Sequence, residues 1–371
     1  MKMLKALLAT LVILTFSSIP SFAETASSTF AYDSYQAAIE DKVENFVCNA
    51  YDSFYKINAI SLSISDLSVN NNVITAEIAV SMNKTLKAKS IDEIPYAKGL
   101  KSKSDDLEAV HDVNAADAKD YVNLRKKDLV GYIGAAQDQN DKFRITASVV
   151  DGKLDLNNAK FEFLNGLVDW VPATAFIPAS ESAMIQMGYS DVEEGIKVIR
   201  KGKEKQQAAA VQAQSVTYNR LAASAYANSY TSEVVSRPYY DHRYWNPNYA
   251  RYENDCANYV SQAIYAGGIP QDFTWRPGYT AWVNTGLNIS GGLTDYMVHS
   301  KGYFYKTTKM GVSAGGFIIA TTHSHAMFVV ANDGVTLLLS SHTKDRKQAS
   351  FADFDSSFKY YYISSTIVSV K

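Results

Sequence analysis

The chain has 371 residues, of which 47% are hydrophobic and 20% charged, close to the globular average and long enough for two ordinary domains with sizeable cores. A formal net charge of −2 argues against a general nucleic-acid binder, because phosphate recognition normally shows as a clustered basic excess. Any partner is therefore recognised locally.

The chain opens MKMLKALLATLVILTFSSIPSFAE. Lys2 and Lys5 precede an apolar run from Leu7 to Phe16, and Ser21-Phe22-Ala23 offers small residues at the cleavage positions, which predicts a secretory signal peptide over residues 1–23. An apolar core of about ten residues is too short to span a bilayer as a helix, and no other stretch is apolar for long enough. The expected protein is thus extracellular, secreted or cell-wall associated, with no integral membrane segment after signal removal.

Residues 24–180 read as a small α+β domain. Tyr35, Ile39, Val43, Phe46, Val47, Ala50 and Phe54 recur at helical spacing. Val73, Ala76, Ile78 and Val80 lie near period two after an Asn-rich turn, and FRITASVVDGKLDLNNAKFEFL predicts a hairpin turning at Asp151-Gly152. The polar run AADAKDYVNLRKKDLVGYIGAAQ reads as a helical or partly ordered crossover. His111, the one histidine of this domain, has the setting of a surface residue. Residues 181–216, rich in Ala, Gln, Glu and Lys and free of Pro, predict a helical spacer. The second domain covers 217–371 and begins with a helical face of Tyr218, Leu221, Ala222, Ala225 and Tyr226. Most of the tyrosines that can be placed lie in it, interleaved with Asn, Ser and Gly, which suits a wet aromatic groove or half-buried strands.

The candidate chemistry lies in YENDCANYVSQAIYAGGIP. Asn254 and Asp255 are N-cap types, Ala257, Val260, Ala263 and Ile264 form an apolar stripe, and Gly267-Gly268 followed by Pro270 is a stop. Cys256 therefore falls in the first turn of a helix, where unpaired N–H groups and the macrodipole favour a thiolate; a depressed pKa and rapid alkylation at about pH 6 are expected. A buried packing cysteine is the competing reading. Cys48 reads as a buried helix residue, and no disulfide with Cys256 across the domain boundary is expected.

A thiol nucleophile needs a proton shuttle. In THSHAMFVVANDGVTLLLSSHTKD, two β-type runs flank an Asn332-Asp333-Gly334 hairpin signal, which puts His325 at the start of one strand and His342 at the end of the next. Those ends are neighbours, so one ring could orient the other, giving nucleophile, base and orienter. His323 shares a face with His325 by period two and would line the groove. Zinc held by these histidines and Cys256 is the alternative use, but the chain has no CxxC and no helical HxxxH pair, so neither metal nor cofactor is expected.

These residues resemble the family named "putative amidase domain", in the wider papain-like class that includes the NlpC/P60 and CHAP cell-wall hydrolases. The matching stretches are YNRLAASAYA (218–227), ENDCANYVSQAIYAGG (253–268), GGFII (315–319), HSHAMFVV (323–330) and SSHT (340–343), in the family's order. The resemblance implies a C-terminal papain-like α+β domain with an antiparallel sheet, Cys256 as nucleophile, His325 as general base and His342 as third polar residue. Where such domains carry a Gly-Asp pair this chain has Gly315-Gly316, from which lost rigidity is expected rather than lost activity. The first domain has no such resemblance.

The expected activity is an extracellular cysteine amidase or peptidase acting on a peptide or peptidoglycan-like substrate. The Cys256 N–H would hold the oxyanion with Tyr252, or with Tyr249 or Tyr244 in its place, and Trp275, Tyr279 and Trp282 would wall the groove. The alternative is a catalytically inactive secreted binding or adhesion module. Whether the first domain, directly upstream, covers the groove as an inhibitory lid is left open by the sequence. Oligomeric state is not legible in the sequence.

Overall fold

The computed structural model describes residues 22–166, 169–209, 216–233, 240–287, 289–352, 357–364 and 368–370. The expected signal peptide lies, but for its last two residues, outside the described residues. Helix α1 (Phe22–Tyr51) buries Ile39, Val43, Val47 and Tyr51 completely, one residue per turn along a single stripe. It covers an antiparallel sheet of β1 (Tyr55–Asn70), β2 (Val73–Leu86), β3 (Ala136–Val150), β4 (Lys153–Leu154), β5 (Lys160–Leu164) and β6 (Trp170–Pro172), in the order β1-β2-β3-β5-β6 with β4 on β3. Between β2 and β3 the chain forms α2 (Pro95–Ala109) and α3 (Ala115–Leu129). Asp151 and Gly152 both take left-handed φ, 49° and 73°, as the tight turn after β3 demands.

Strand β1 is absent from the sequence reading for a physical reason. Its half-buried residues Ile57, Ile60, Leu62, Ile64 and Leu67 lose the two-residue period wherever the register shifts, between Ile57 and Ala59 and between Ile64 and Asp66.

The stretch expected as a spacer is α4 (Glu181–Ala209), and it does not span a gap. It buries Met184, Val192, Ile196 and Ile199 against the first domain. A Cβ on Gly99 would fall 1.9 Å from the Ile185 carbonyl oxygen, and one on Gly188 2.1 Å from that of Tyr96, so the backbones of α2 and α4 touch. The first structural unit therefore runs to Ala209 rather than ending near residue 180.

The second unit contains β7 (Val216–Tyr218), α5 (Arg220–Ser229), α6 (Cys256–Ala266) and α7 (Thr280–Val283). These are followed by β8 (Phe304–Thr307), β9 (Phe317–Ala320), β10 (His325–Asn332), β11 (Leu337–Ser341), β12 (Arg346–Ser350), β13 (Phe358–Ile363) and β14 (Val368–Val370). Six strands form an antiparallel sheet in the order β12-β11-β10-β9-β13-β8, while β14 pairs with β7 in parallel. The fold class is thus α+β, as expected. Gly315-Gly316 is held by hydrogen bonds and close packing without the Asp. Gly315 N–H donates to Val329 O at 2.9 Å and the Tyr218 hydroxyl to Gly315 O at 2.8 Å. A Cβ on Gly316 would sit 2.5 Å from Val312 Cγ2 and 2.6 Å from Tyr361 O, so this packing has no room for a side chain there.

The units meet along a buried polar seam. Asp333, in the β10–β11 turn, accepts the Tyr55 hydroxyl at 2.7 Å and the Gln137 amide at 3.0 Å. Lys84, also fully buried, donates to Thr336 Oγ1 at 2.8 Å and lies over the rings of Tyr51 and Tyr55. Arg125 donates to Asp128 at 2.7 Å and to the Met310 carbonyl at 2.9 Å, and Asp141 accepts both the N–H and the hydroxyl of Ser350. The turn lies at the end of β10 opposite His325, roughly 23 Å along the strand. These contacts gather at that end and along β12.

Burial pushes the Lys84 ammonium from its ordinary 10.5 down to about 8, against the opposing pull of Asp333 and Asp141. Between those values the unfolded chain holds a proton that the folded chain has released, so this group makes stability rise with pH across that window. In urea unfolding, wild type is expected to gain about 2 kcal/mol over Lys84→Met between about pH 7.5 and about pH 9.5. Parallel pH profiles for the two proteins would refute the assignment.

Candidate active site

Cys256 is the first residue of α6, and Asp255 occupies the N-cap with φ −90° and ψ −1°. Ala257, Val260, Ala263 and Ile264 are buried, and Gly268 ends the helix with φ +110°. The Asp255 side chain makes no cap bond. One carboxylate oxygen accepts the Tyr252 N–H at 3.1 Å and the Asn258 amide at 2.8 Å, while the other lies 2.7 Å from His342 Nδ1. The Asp255 N–H donates to Thr343 Oγ1 at 2.7 Å. A residue expected to cap the helix instead ties its start to the end of β11.

His342 completes that tie. Its Nε2 lies 2.5 Å from the Tyr230 carbonyl oxygen, and its ring is stacked between Trp245, 4.1 Å away, and Tyr259, 4.0 Å away. Nδ1 faces the Asp255 carboxylate and Nε2 the Tyr230 carbonyl, so both ring nitrogens are engaged in buried hydrogen bonds. This corrects the role expected for His342. With both nitrogens engaged, it has none left to orient His325.

The thiol lies against the turn that leads into β10, whose first residue is His325. Cys256 Sγ lies 3.9 Å from the Ser324 carbonyl oxygen, and the N–H groups of Ala326, Ala257 and Cys256 bear on the sulfur. Ser324 takes φ +48°, and its hydroxyl is 2.8 Å from that of Thr285, which fixes the turn. Burial pushes the Cys256 thiol up, an effect larger than the opposing pull of the N–H groups, and Asp255 adds to it. The depressed value expected from the helix terminus is therefore reversed: the dipole is present, but desolvation outweighs it. Burial, followed by the charges of Lys344 and His323, pushes the His325 imidazole down to about 3. Both groups rest neutral at pH 7. His325 Nε2 is buried without a hydrogen-bond partner among the described residues.

The remaining expected site residues separate. Trp275 and Trp282 are fully buried, their indole N–H groups donating to Ser261 Oγ and Asn258 Oδ1, so they pack the core and do not wall a groove. Tyr279 is 43% exposed, with the Arg276 guanidinium 4.1 Å from its ring centre. Tyr252 is half-buried beside Gly278. His323 is exposed in the turn and bonds Thr322 Oγ1 at 2.8 Å, not strand-paired as the two-residue period implied. Cys48 is half-buried, and both cysteines are free thiols. Among the described residues no three His, Cys, Asp or Glu side chains are grouped to hold a metal, and no helix is long and apolar enough to cross a membrane. Sequence reasoning missed Asp255 as a partner of His342. An Asp before the helical Cys carries a capping signal, and only the tertiary approach of β11 redirects it.

Residues 217–364, which include Cys256, His325 and His342, match the family model described as "Putative amidase domain". The C-terminal part is an amidase-like domain. Hydrolase activity is what such a domain suggests. The "Uncharacterized protein YjcM" of Bacillus subtilis (strain 168) is 29% identical over 145 residues, 35% of this chain and 32% of that relative, so the match spans about a third of its length. No solved structure matches the chain.

Two outcomes follow from the amidase-like domain's geometry. With Cys48 replaced by Ser, iodoacetamide is expected to modify the folded protein more slowly at about pH 7 than an unfolded control, with the rate still climbing above about pH 9; a fast reaction at about pH 6 would overturn the raised thiol. Asp255→Ala leaves the Tyr252 N–H, the Asn258 amide and His342 Nδ1 without their shared acceptor and is expected to cost about 2 kcal/mol in urea unfolding. A loss under about 0.5 kcal/mol would contradict the role of this carboxylate.

Proposed function

We propose that the protein is a secreted or wall-associated cysteine amidase or peptidase, with a papain-like, NlpC/P60-like active domain that cuts an amide bond in a wall-type peptide. One observation carries this reading: within the amidase-like segment, the thiol that starts α6 is packed against the turn bearing His325, whose imidazole Nε2 has no partner.

Both groups start neutral, so proton transfer accompanies attack. His325 takes the Sγ proton as sulfur bonds to the carbonyl carbon, and the tetrahedral oxyanion is held by the Cys256 N–H with Tyr252 as the candidate second donor. The proton passes to the amine nitrogen as the C–N bond breaks, leaving a thioester. Water then attacks, His325 takes its proton, and the C–S bond breaks with return of that proton to sulfur. Tyr279 remains available as a groove aromatic.

One observation favours a second reading. An imidazole held at about 3 is a weak base, and no described hydrogen bond orients its Nε2. This supports a secreted binding or adhesion module without catalysis. The readings separate by measuring new amino groups released from purified peptidoglycan. Wild type is expected to release them, and Cys256→Ala and His325→Ala to lose at least about a thousandfold in rate. Release unaffected by both substitutions would exclude the thiol mechanism, and no release with a thiol inert even at alkaline pH would favour the binding module.

A further inference from the structure

A cleft of about 850 Å³ lies between the two units, within the size range of ligand sites. Its floor is the outer face of the first sheet. Two cross-strand rows tile it, Ala59–Asn83–Asp138 and Ser61–Ser81–Asn140. Asn83 donates to Asp138 at 2.6 Å, Ser81 to Asn140 at 2.8 Å, and Asn140 reaches across the seam to the Lys347 carbonyl at 3.1 Å. The polar groups are thus fixed by one another before any ligand arrives. Opposite stand Tyr240 and Tyr244, 39% and 53% exposed.

We propose that this cleft binds a glycan, a neutral polyhydroxylated chain such as the sugar strand of a wall polymer. A sugar ring presents C–H groups to an aromatic face and hydroxyls around its edge, which Tyr240, Tyr244 and the Asn, Asp and Ser tile can meet together. Peptide recognition fits less well. Ile60 and Met82 also line the cleft, but both pack against the core of the first unit and Met82 is only 3% exposed, so they offer a shallow apolar floor rather than a deep socket for a side chain. Charge also favours a neutral ligand: Asp138, Glu233 and Asp241 line the cleft against Lys347, although Arg346 and Arg243 partner the last two carboxylates.

The cleft lies near the candidate catalytic end of the second sheet. Ser341, next to His342, pairs with Arg346 at the start of β12, and β12 is two strands, roughly 10 Å, from β10. Gln348 lines the cleft from a left-handed φ of 52°, its N–H held by Ser340 Oγ at 3.0 Å. A sugar strand in the cleft would leave an attached peptide within reach of Cys256. The choice of a wall glycan rests on the wall-peptide reading, but binding can be measured without turnover.

The experiment is calorimetric titration of the full chain carrying Cys256→Ala with a peptide-free tetrasaccharide of β-1,4-linked N-acetylhexosamines and, separately, with the free stem peptide. Saturable binding of the sugar is expected, weakened at least about tenfold by Tyr244→Ala and by Ser61→Arg, both exposed positions. Circular dichroism confirms that each variant is folded. No saturable sugar binding, or binding unmoved by both substitutions, would overturn the proposal. Stem-peptide binding weakened by the same substitutions without sugar binding would make this a peptide cleft. Sugar binding in a protein whose wild type hydrolyses nothing would sustain the cleft and remove only the amidase reading.

Discussion

The candidate site depends on one buried carboxylate–imidazole contact. Asp255 joins three pieces of chain through one carboxylate: the Tyr252 backbone, the first turn of α6 through Asn258, and the end of β11 through His342. Two aromatic rings and the Tyr230 carbonyl hold the imidazole in place. A buried carboxylate without partners would be costly, but here each of its oxygens is hydrogen-bonded. The start of α6 is thereby fixed relative to the sheet, and the Cys256 thiol with it.

That fixation comes with desolvation. The packing that positions the sulfur also removes water from it and from His325, pushing the thiol up and the imidazole down. Helix-terminus electrostatics and burial therefore oppose each other at the same atom, and burial prevails. The shifts favour the uncharged form of each group. The chemistry open to the pair is concerted proton transfer or, in the second reading, none.

Local signals made part of this legible. Cys256 in a first turn, the Gly267-Gly268 stop, and a hairpin carrying His325 and His342 at its ends all follow from short-range periodicity and turn chemistry, and the α+β class follows from the same patterns. What was not legible required knowledge of neighbours. Trp275 and Trp282 look alike as groove walls or core until their indole donors are seen to meet Ser261 and Asn258 inside the protein. Strand β1 was hidden by its bulges, and α4 reads as a spacer because its polar composition conceals four buried apolar residues and a glycine contact with α2.

The family match begins at residue 217, yet the tip of the β10–β11 hairpin inside that match is lodged in a receptacle formed by Tyr55, Lys84 and Gln137 upstream of it. A boundary drawn by sequence similarity thus cuts through a continuous interior. For an amidase-like segment of this shape to be transplanted beside a different neighbour, either the recipient must supply an equivalent receptacle or the tip must be rewritten. Asp333 therefore makes the hairpin tip a key whose lock lies outside the matched segment.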